Sequence, residues 1–126
     1  MTVTLQVLVV DVDRSARKGL VRLLRSAGHD AQGFASVKEL LHALDPDTSG
    51  CLVLDNETVG STGEDLRAAL KARGMHLPII MVSADDDDLI RRKAHELNAV
   101  GLYRKPVDGP ALLDVVKWTL ELVDKT

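Results

Sequence analysis

Aromatic residues are nearly absent from this 126-residue chain: Phe34, Tyr103 and Trp118 are its only ones. Any core must be built from Val, Leu, Ile and Ala. Cysteine is scarcer still. The single Cys51 excludes an intrachain disulfide and a cysteine-based zinc centre, and a reducing compartment is the simpler setting. Long hydrophobic runs are missing too. The opening MTVTLQVLVVDVD has no basic stretch before an apolar one, so neither a signal peptide nor a spanning helix is expected. No membrane partner is expected, and the expected location is the cytoplasm. The net charge is only −3, without the basic stripe that marks a nucleic-acid partner. His29, His42, His76 and His95 fall on different elements with no metal-ligand spacing.

What is present is an ordinary globular balance, 45% apolar and 28% charged, in a length that fits one domain over 1–126. Short apolar runs alternate with helical patterns. Leu5–Val10 is a Val-rich strand. Asp13 caps a helix from Arg14 that carries Ala16, Leu20, Leu23, Leu24 and Ala27 on one face and stops at Gly28. Asp30–Phe34 is a short strand. Ser36 and Glu39 form a capping box for a helix with Val37, Leu40, Leu41 and Leu44, ended by Asp45-Pro46. Cys51–Leu54 is a third strand, followed by a loop with Gly60 and Gly63 and a helix near Glu64–Arg73. Pro78 opens a fourth strand, Ile79–Val82. A helix over Asp86–Leu97 ends at Asn98, which tolerates the left-handed conformation. Val100–Tyr103 is the fifth strand. The last helix starts near Gly109-Pro110 and buries Leu112, Val116, Thr119, Leu120 and Val123.

Five βα units with near-continuous apolar strands predict an α/β fold. The expected form is a flavodoxin-like (βα)5 open parallel sheet in order 2-1-3-4-5, with helices on both faces. Ligands of such sheets bind at the carboxyl ends of the strands. There the sequence offers Asp11 with Asp13 just beyond, Asp55, Ser83 and Lys105. Carboxylates with a backbone carbonyl suit Mg²⁺. A hydroxyl and an ammonium suit phosphoryl oxygens. Asp55, between them, is placed to become an aspartyl phosphate. Any one of these residues would also be unremarkable as a helix or loop cap; their agreement on one edge is what points to chemistry.

The segments VLVVDVDRSARKGLVRLLRSAGHDAQGFAS, GCLVLDNETVGSTGEDL, IIMVSA and LYRKPVD together resemble the receiver domain of two-component response regulators, the CheY-like fold. The phrasing is nearest the FixJ-type receivers, and the resemblance runs over essentially the whole chain. It implies a signalling switch rather than an enzyme, although such a domain assists its own phosphorylation and dephosphorylation. It implies Asp55 as phosphoacceptor, with Mg²⁺ held by Asp11, Asp55 and the carbonyl of Glu57. It implies Ser83 and Lys105 as the phosphoryl-binding pair, Ala84 as the small residue that leaves access, and Pro106 at the cis-proline place. The implied partners are a sensor histidine kinase or phosphotransfer protein and a downstream protein. A second copy is a further candidate partner. The expectation is either a receiver that acts through protein contacts alone or the receiver portion of a longer regulator.

Four positions depart from the family pattern, one of them Asn98 in place of the usual glycine after the fourth helix. Val12 stands where the second acid of an adjacent pair is usual. The resemblance implies weaker metal binding, unless the loop shifts by one residue and Asp13 takes that ligand place, or the Glu57 carboxylate reaches the metal directly or through water. Leu102 stands at the aromatic switch position, with Tyr103 beside it and pointing to the opposite face. Val59 replaces the loop proline. These departures sustain an alternative, a phosphorylation-independent pseudo-receiver that acts as an interaction or dimerisation module. A phosphatase of the haloacid-dehalogenase kind would use the Asp11-Val12-Asp13 spacing. It also needs a longer chain, and a residue such as threonine where Arg14 follows. Two charge clusters stand apart from this set. Asp85–Asp88 suits a helix start, and Arg91-Arg92-Lys93 forms a basic turn on the fourth helix.

Overall fold

The computed structural model describes residues 4–59 and 63–124. Five parallel strands form one sheet in the order β2-β1-β3-β4-β5. They are β1 (Leu5–Val10), β2 (Asp30–Phe34), β3 (Ser49–Asp55), β4 (Ile79–Ser83) and β5 (Gly101–Arg104). The helices are α1 (Arg14–Ser26), α2 (Val37–Ala43), the short α3 (Asn56–Val59), α4 (Gly63–Ala72), α5 (Asp88–Glu96) and α6 (Gly109–Asp124).

The strands are buried on both faces, which is why they read as unbroken apolar runs. Alternation sends successive residues to opposite sides. Leu8, Val10, Leu52, Leu54, Ile79 and Met81 pack with Leu40, Leu66, Leu70, Ala94 and Leu97 from α2, α4 and α5 and from the residue after α5. Val7, Val9, Cys51, Val53, Ile80 and Val82 pack with Leu24, Leu112, Val116 and Leu120 from α1 and α6. Small aliphatic side chains fill both layers, as the scarcity of aromatics requires. Trp118 itself is 53% exposed on α6, and Val123 is only half-buried.

The expected caps hold. Asp13 Oδ1 accepts the Ser15 N–H, and Ser36 Oγ accepts the Glu39 N–H at 3.1 Å. Glu39 reaches back one residue further than a capping box requires, accepting the N–H of Ala35. Gly28 and Asn98 both have positive φ, 91° and 54°.

Several boundaries differ from the sequence reading. Strand β3 runs over Ser49–Asp55 rather than Cys51–Leu54, and α4 takes in Gly63, expected in the loop before it, and ends at Ala72. The loop after β3 begins with the helical turn α3, because Asp55 caps it through the Thr58 N–H. Gly60, expected in that loop, lies outside the described residues. Helix α5 starts at Asp88 rather than Asp86, because Asp87 is the cap and accepts the Ile90 N–H. Strand β5 runs one residue later than expected, Gly101–Arg104, although the Val100 N–H already bonds Ile79 O.

Candidate functional site

Parallel pairing sets Val10 opposite Leu54, so the next residues, Asp11 and Asp55, emerge together at the carboxyl edge. On the other side Asp55 pairs with Val82, and Ser83 follows at the end of β4 opposite Arg104. Lys105 comes next, its N–H donating to Ser83 O at 2.8 Å. Register alone therefore brings four of the expected residues to one place. Asp11, Asp55 and Ser83 are buried, with Asp55 only 4% exposed.

Lys105 Nζ joins the two acids. It donates to Asp11 Oδ2 at 3.1 Å and lies 3.0 Å from Asp55 Oδ1. The second approach is an ion pair without hydrogen-bond alignment, so Asp55 Oδ1 is a buried oxygen with no aligned donor. Burial pulls the Lys105 pKa down. The negative charges of Asp55 and Asp11 beside the ammonium, and the hydrogen bond to Asp11, outweigh that, and the net shift is upward. The ammonium is thus held in its charged form, at a point where it can meet a phosphoryl oxygen.

The remaining contacts fix the loops. Asp11 Oδ1 accepts the Asp13 N–H at 2.9 Å, and Arg17 Nη1 donates to Asp11 O at 2.8 Å. Ser83 Oγ accepts the Asp85 N–H at 3.1 Å. Ala84 is exposed beside it and leaves that flank open. The Lys105–Pro106 peptide is cis. Leu102 packs against the α2/α4/α5 layer and Tyr103 against the α1/α6 layer, on opposite faces as the strand period requires.

Asp13 Oδ1 caps α1 by accepting the Ser15 N–H, and Val12 points outward, 62% exposed. Glu57 is exposed on α3, and Val59 is the last residue of that turn. Among the described residues no three His, Cys, Asp or Glu side chains gather as metal ligands. Two carboxylates remain, Asp11 and Asp55. With a main-chain carbonyl they fit a hard divalent cation that keeps most of its waters, a shell Mg²⁺ accepts. They do not form a closed cage.

The acidic tetrad resolves into separate local roles. Asp85 donates its N–H to Ser83, Asp87 caps α5, and Asp88 sits in the first turn. Asp86 pairs with Arg91 at 2.9 Å. The Arg91 guanidinium lowers the Asp86 pKa through its hydrogen bond and charge.

Sequence reasoning missed Thr58. Its Oγ1 accepts the Val12 N–H at 2.7 Å and donates to Asp55 Oδ2 at 3.0 Å. The available signal was its spacing: three residues beyond an acid is where a capped turn places its first bonded N–H.

A family model for the response regulator receiver domain matches residues 7–117. The chain is 36% identical over 110 residues to nodulation protein W of Bradyrhizobium diazoefficiens, covering 87% of this chain and 48% of that protein. It is 39% identical over 116 residues to the transcriptional regulatory protein TdiR of Thauera aromatica, covering 92% and 51%. The chain thus spans about half the length of these curated relatives. Among solved structures, the response regulator StyR superposes with a TM-score of 0.84 at 35% identity, over 97% of this chain and 62% of that one. A receiver protein from Burkholderia phymatum gives 0.80 at 32%, over 94% and 96%.

Proposed function

Because this chain belongs to the response regulator receiver domain family of two-component systems, we propose that it is a phosphoacceptor switch with Asp55 as the acceptor. The observation that carries this is the state of Asp55: a buried carboxylate with one oxygen lacking an aligned donor, facing a charged lysine. That oxygen attacks the phosphorus of a kinase phosphohistidine. The P–N bond breaks, its electron pair stays on the imidazole, and a P–O bond to Asp55 forms. Lys105 meets the charge on the transferred phosphoryl oxygens. The Ser83 hydroxyl leaves the Asp85 N–H to bond one of them, and the surface of α5, β5 and α6 repacks.

Mg²⁺ would be held by Asp11, Asp55 and the Glu57 carbonyl, and when bound it neutralises phosphoryl charge. With Val12 in place of an acid, that binding is weak. The donor is a sensor histidine kinase or phosphotransfer protein in the cytoplasm. The output passes to a downstream protein, to a second copy, or to an effector domain like those implied by the greater length of the relatives. On this reading the domain is a substrate and switch, not an enzyme.

A phosphorylation-independent interaction module is the second reading. It is favoured by the outward Val12 and by Leu102 at the switch position.

Intact-mass analysis after incubation with acetyl phosphate, with and without Mg²⁺, separates the two. One phosphoryl adduct that needs Mg²⁺ and disappears in Asp55→Asn is the expected result. An unlabelled wild type, under conditions that label another receiver, would leave the interaction module standing.

A further inference from the structure

Thr58 spends both of its proton-bearing groups on a single oxygen. Its N–H and its hydroxyl both donate to Asp55 Oδ2, at 3.2 and 3.0 Å. Capping the α3 turn needs only the first of these bonds. The hydroxyl adds a second bond and extends it. By accepting the Val12 N–H at 2.7 Å, it ties the loop after β1 to the acceptor carboxylate. The relay runs from the Val12 amide through the Thr58 hydroxyl to Asp55 Oδ2, across 46 residues of sequence.

The result is an asymmetric carboxylate. Oδ1 faces Lys105 without an aligned donor. Oδ2 is saturated by Thr58. Val12 supplies no side-chain oxygen here, but its main chain supplies the hydrogen that anchors the hydroxyl. We infer that Thr58 is a positioning residue that latches Asp55: it aims Oδ1 at Lys105 and holds Oδ2 against a divalent cation. A cation that takes Oδ2 must first displace the hydroxyl, so the latch sets how much Mg²⁺ the site needs. This rests on the reading of Asp55 as the acceptor and adds a control on it.

The test is a Mg²⁺ titration of ¹⁵N-labelled wild type, Thr58→Val and Thr58→Ser, read at the Asp55 and Val12 amide resonances. It is paired with amide hydrogen exchange at Val12. Thr58→Val keeps the branched shape at a half-buried position and removes only the hydroxyl; Thr58→Ser restores it.

In Thr58→Val the Mg²⁺ dissociation constant is expected to fall about tenfold, the worth of one hydrogen bond to a charged acceptor. Exchange at Val12 is expected to accelerate by about the same factor. Thr58→Ser should match the wild type in both. Unchanged Val12 exchange in Thr58→Val would overturn the relay. An unchanged or weaker Mg²⁺ affinity, or no Mg²⁺ response in any variant, would overturn the competition. None of these readings uses a phosphodonor. A failure of Asp55 to accept phosphate would therefore appear separately, as a missing mass adduct.

Discussion

At the scale of single residues, the position that departs most from the family pattern is Val12. Its side chain is solvated while its main chain is engaged, so replacing it should leave the fold intact. Val12→Asp adds a third carboxylate next to Asp11, at the edge of the sheet that holds Asp55. In a chelator the variant should melt below the wild type, since like charges disfavour each other at close range. Added Mg²⁺ should reverse that order, because a ligand bound only by the native state stabilises it. Thermal melts in EDTA and in Mg²⁺ give the comparison; a variant that gains nothing from Mg²⁺ would mean position 12 does not face the cation.

Cys51 gives a second test at this scale. Burial pushes its thiol from 9.0 up to about 12. Between those values the unfolded thiol ionises and the folded one does not, so the unfolded state binds fewer protons and stability falls as pH rises. Below 9.0 the thiol is protonated in both states and contributes no slope. Urea midpoints of wild type should drop across this window, and those of Cys51→Ala should drop less. Lys105 adds a decline of the same sign above about 10.4, where the unfolded ammonium is lost first, and both proteins share it.

At the scale of elements, the strands and most helices were legible because their residues obey one rule each: unbroken Val and Leu runs for buried strands, period-3.6 faces for helices. Asp30–Phe34 and the β1 boundaries match the sequence reading residue for residue. What escaped was decided by side chains bonding to nearby main chain. Asp55 turned the start of a loop into α3. Asp87 took the cap two residues inside an acidic run that composition alone cannot subdivide. The candidate site was legible as a set of strand ends, since register carries Asp11, Asp55, Ser83 and Lys105 to one edge. Its hydrogen bonding was not, because Thr58 belongs to a turn that no periodicity announces.

Gly50 marks where an element is least tolerant. Its φ is +141°, and a Cβ there would stand 1.8 Å from Gln6 O. Gly50→Ala must therefore push β3 away from β1, the pair that aligns the two acids. A loss of about 3 kcal/mol or more is expected in urea unfolding. Asp87→Ala, which removes only a cap, should cost about 1 kcal/mol.

At the scale of the whole molecule, two apolar layers sandwich one sheet, and the polar machinery lies along one edge of it. Among the described residues no helix is long and apolar enough to cross a membrane. Lys105, among the described residues, is the cation that touches both buried carboxylates. Replacing it with methionine removes the counter-charge they share. The lysine side chain is 26% exposed, so water softens the loss to about 1–3 kcal/mol. Asp55→Asn added to Lys105→Met should recover part of that loss, which a double-mutant cycle in urea measures.

The position of Lys105 has a mechanical side as well. Strand β5 is an outer strand, laddered on one flank only. Its far end is pinned by a main-chain bond to β4 and by an ammonium braced against acids from β1 and β3. The brace reaches across three strands, so the sheet's margin is moored to its middle by charge. Anything that alters the charge on Asp55 changes the tension in that mooring. The first part of the sheet to slacken should then be the β5 border, rather than the strand on which Asp55 sits.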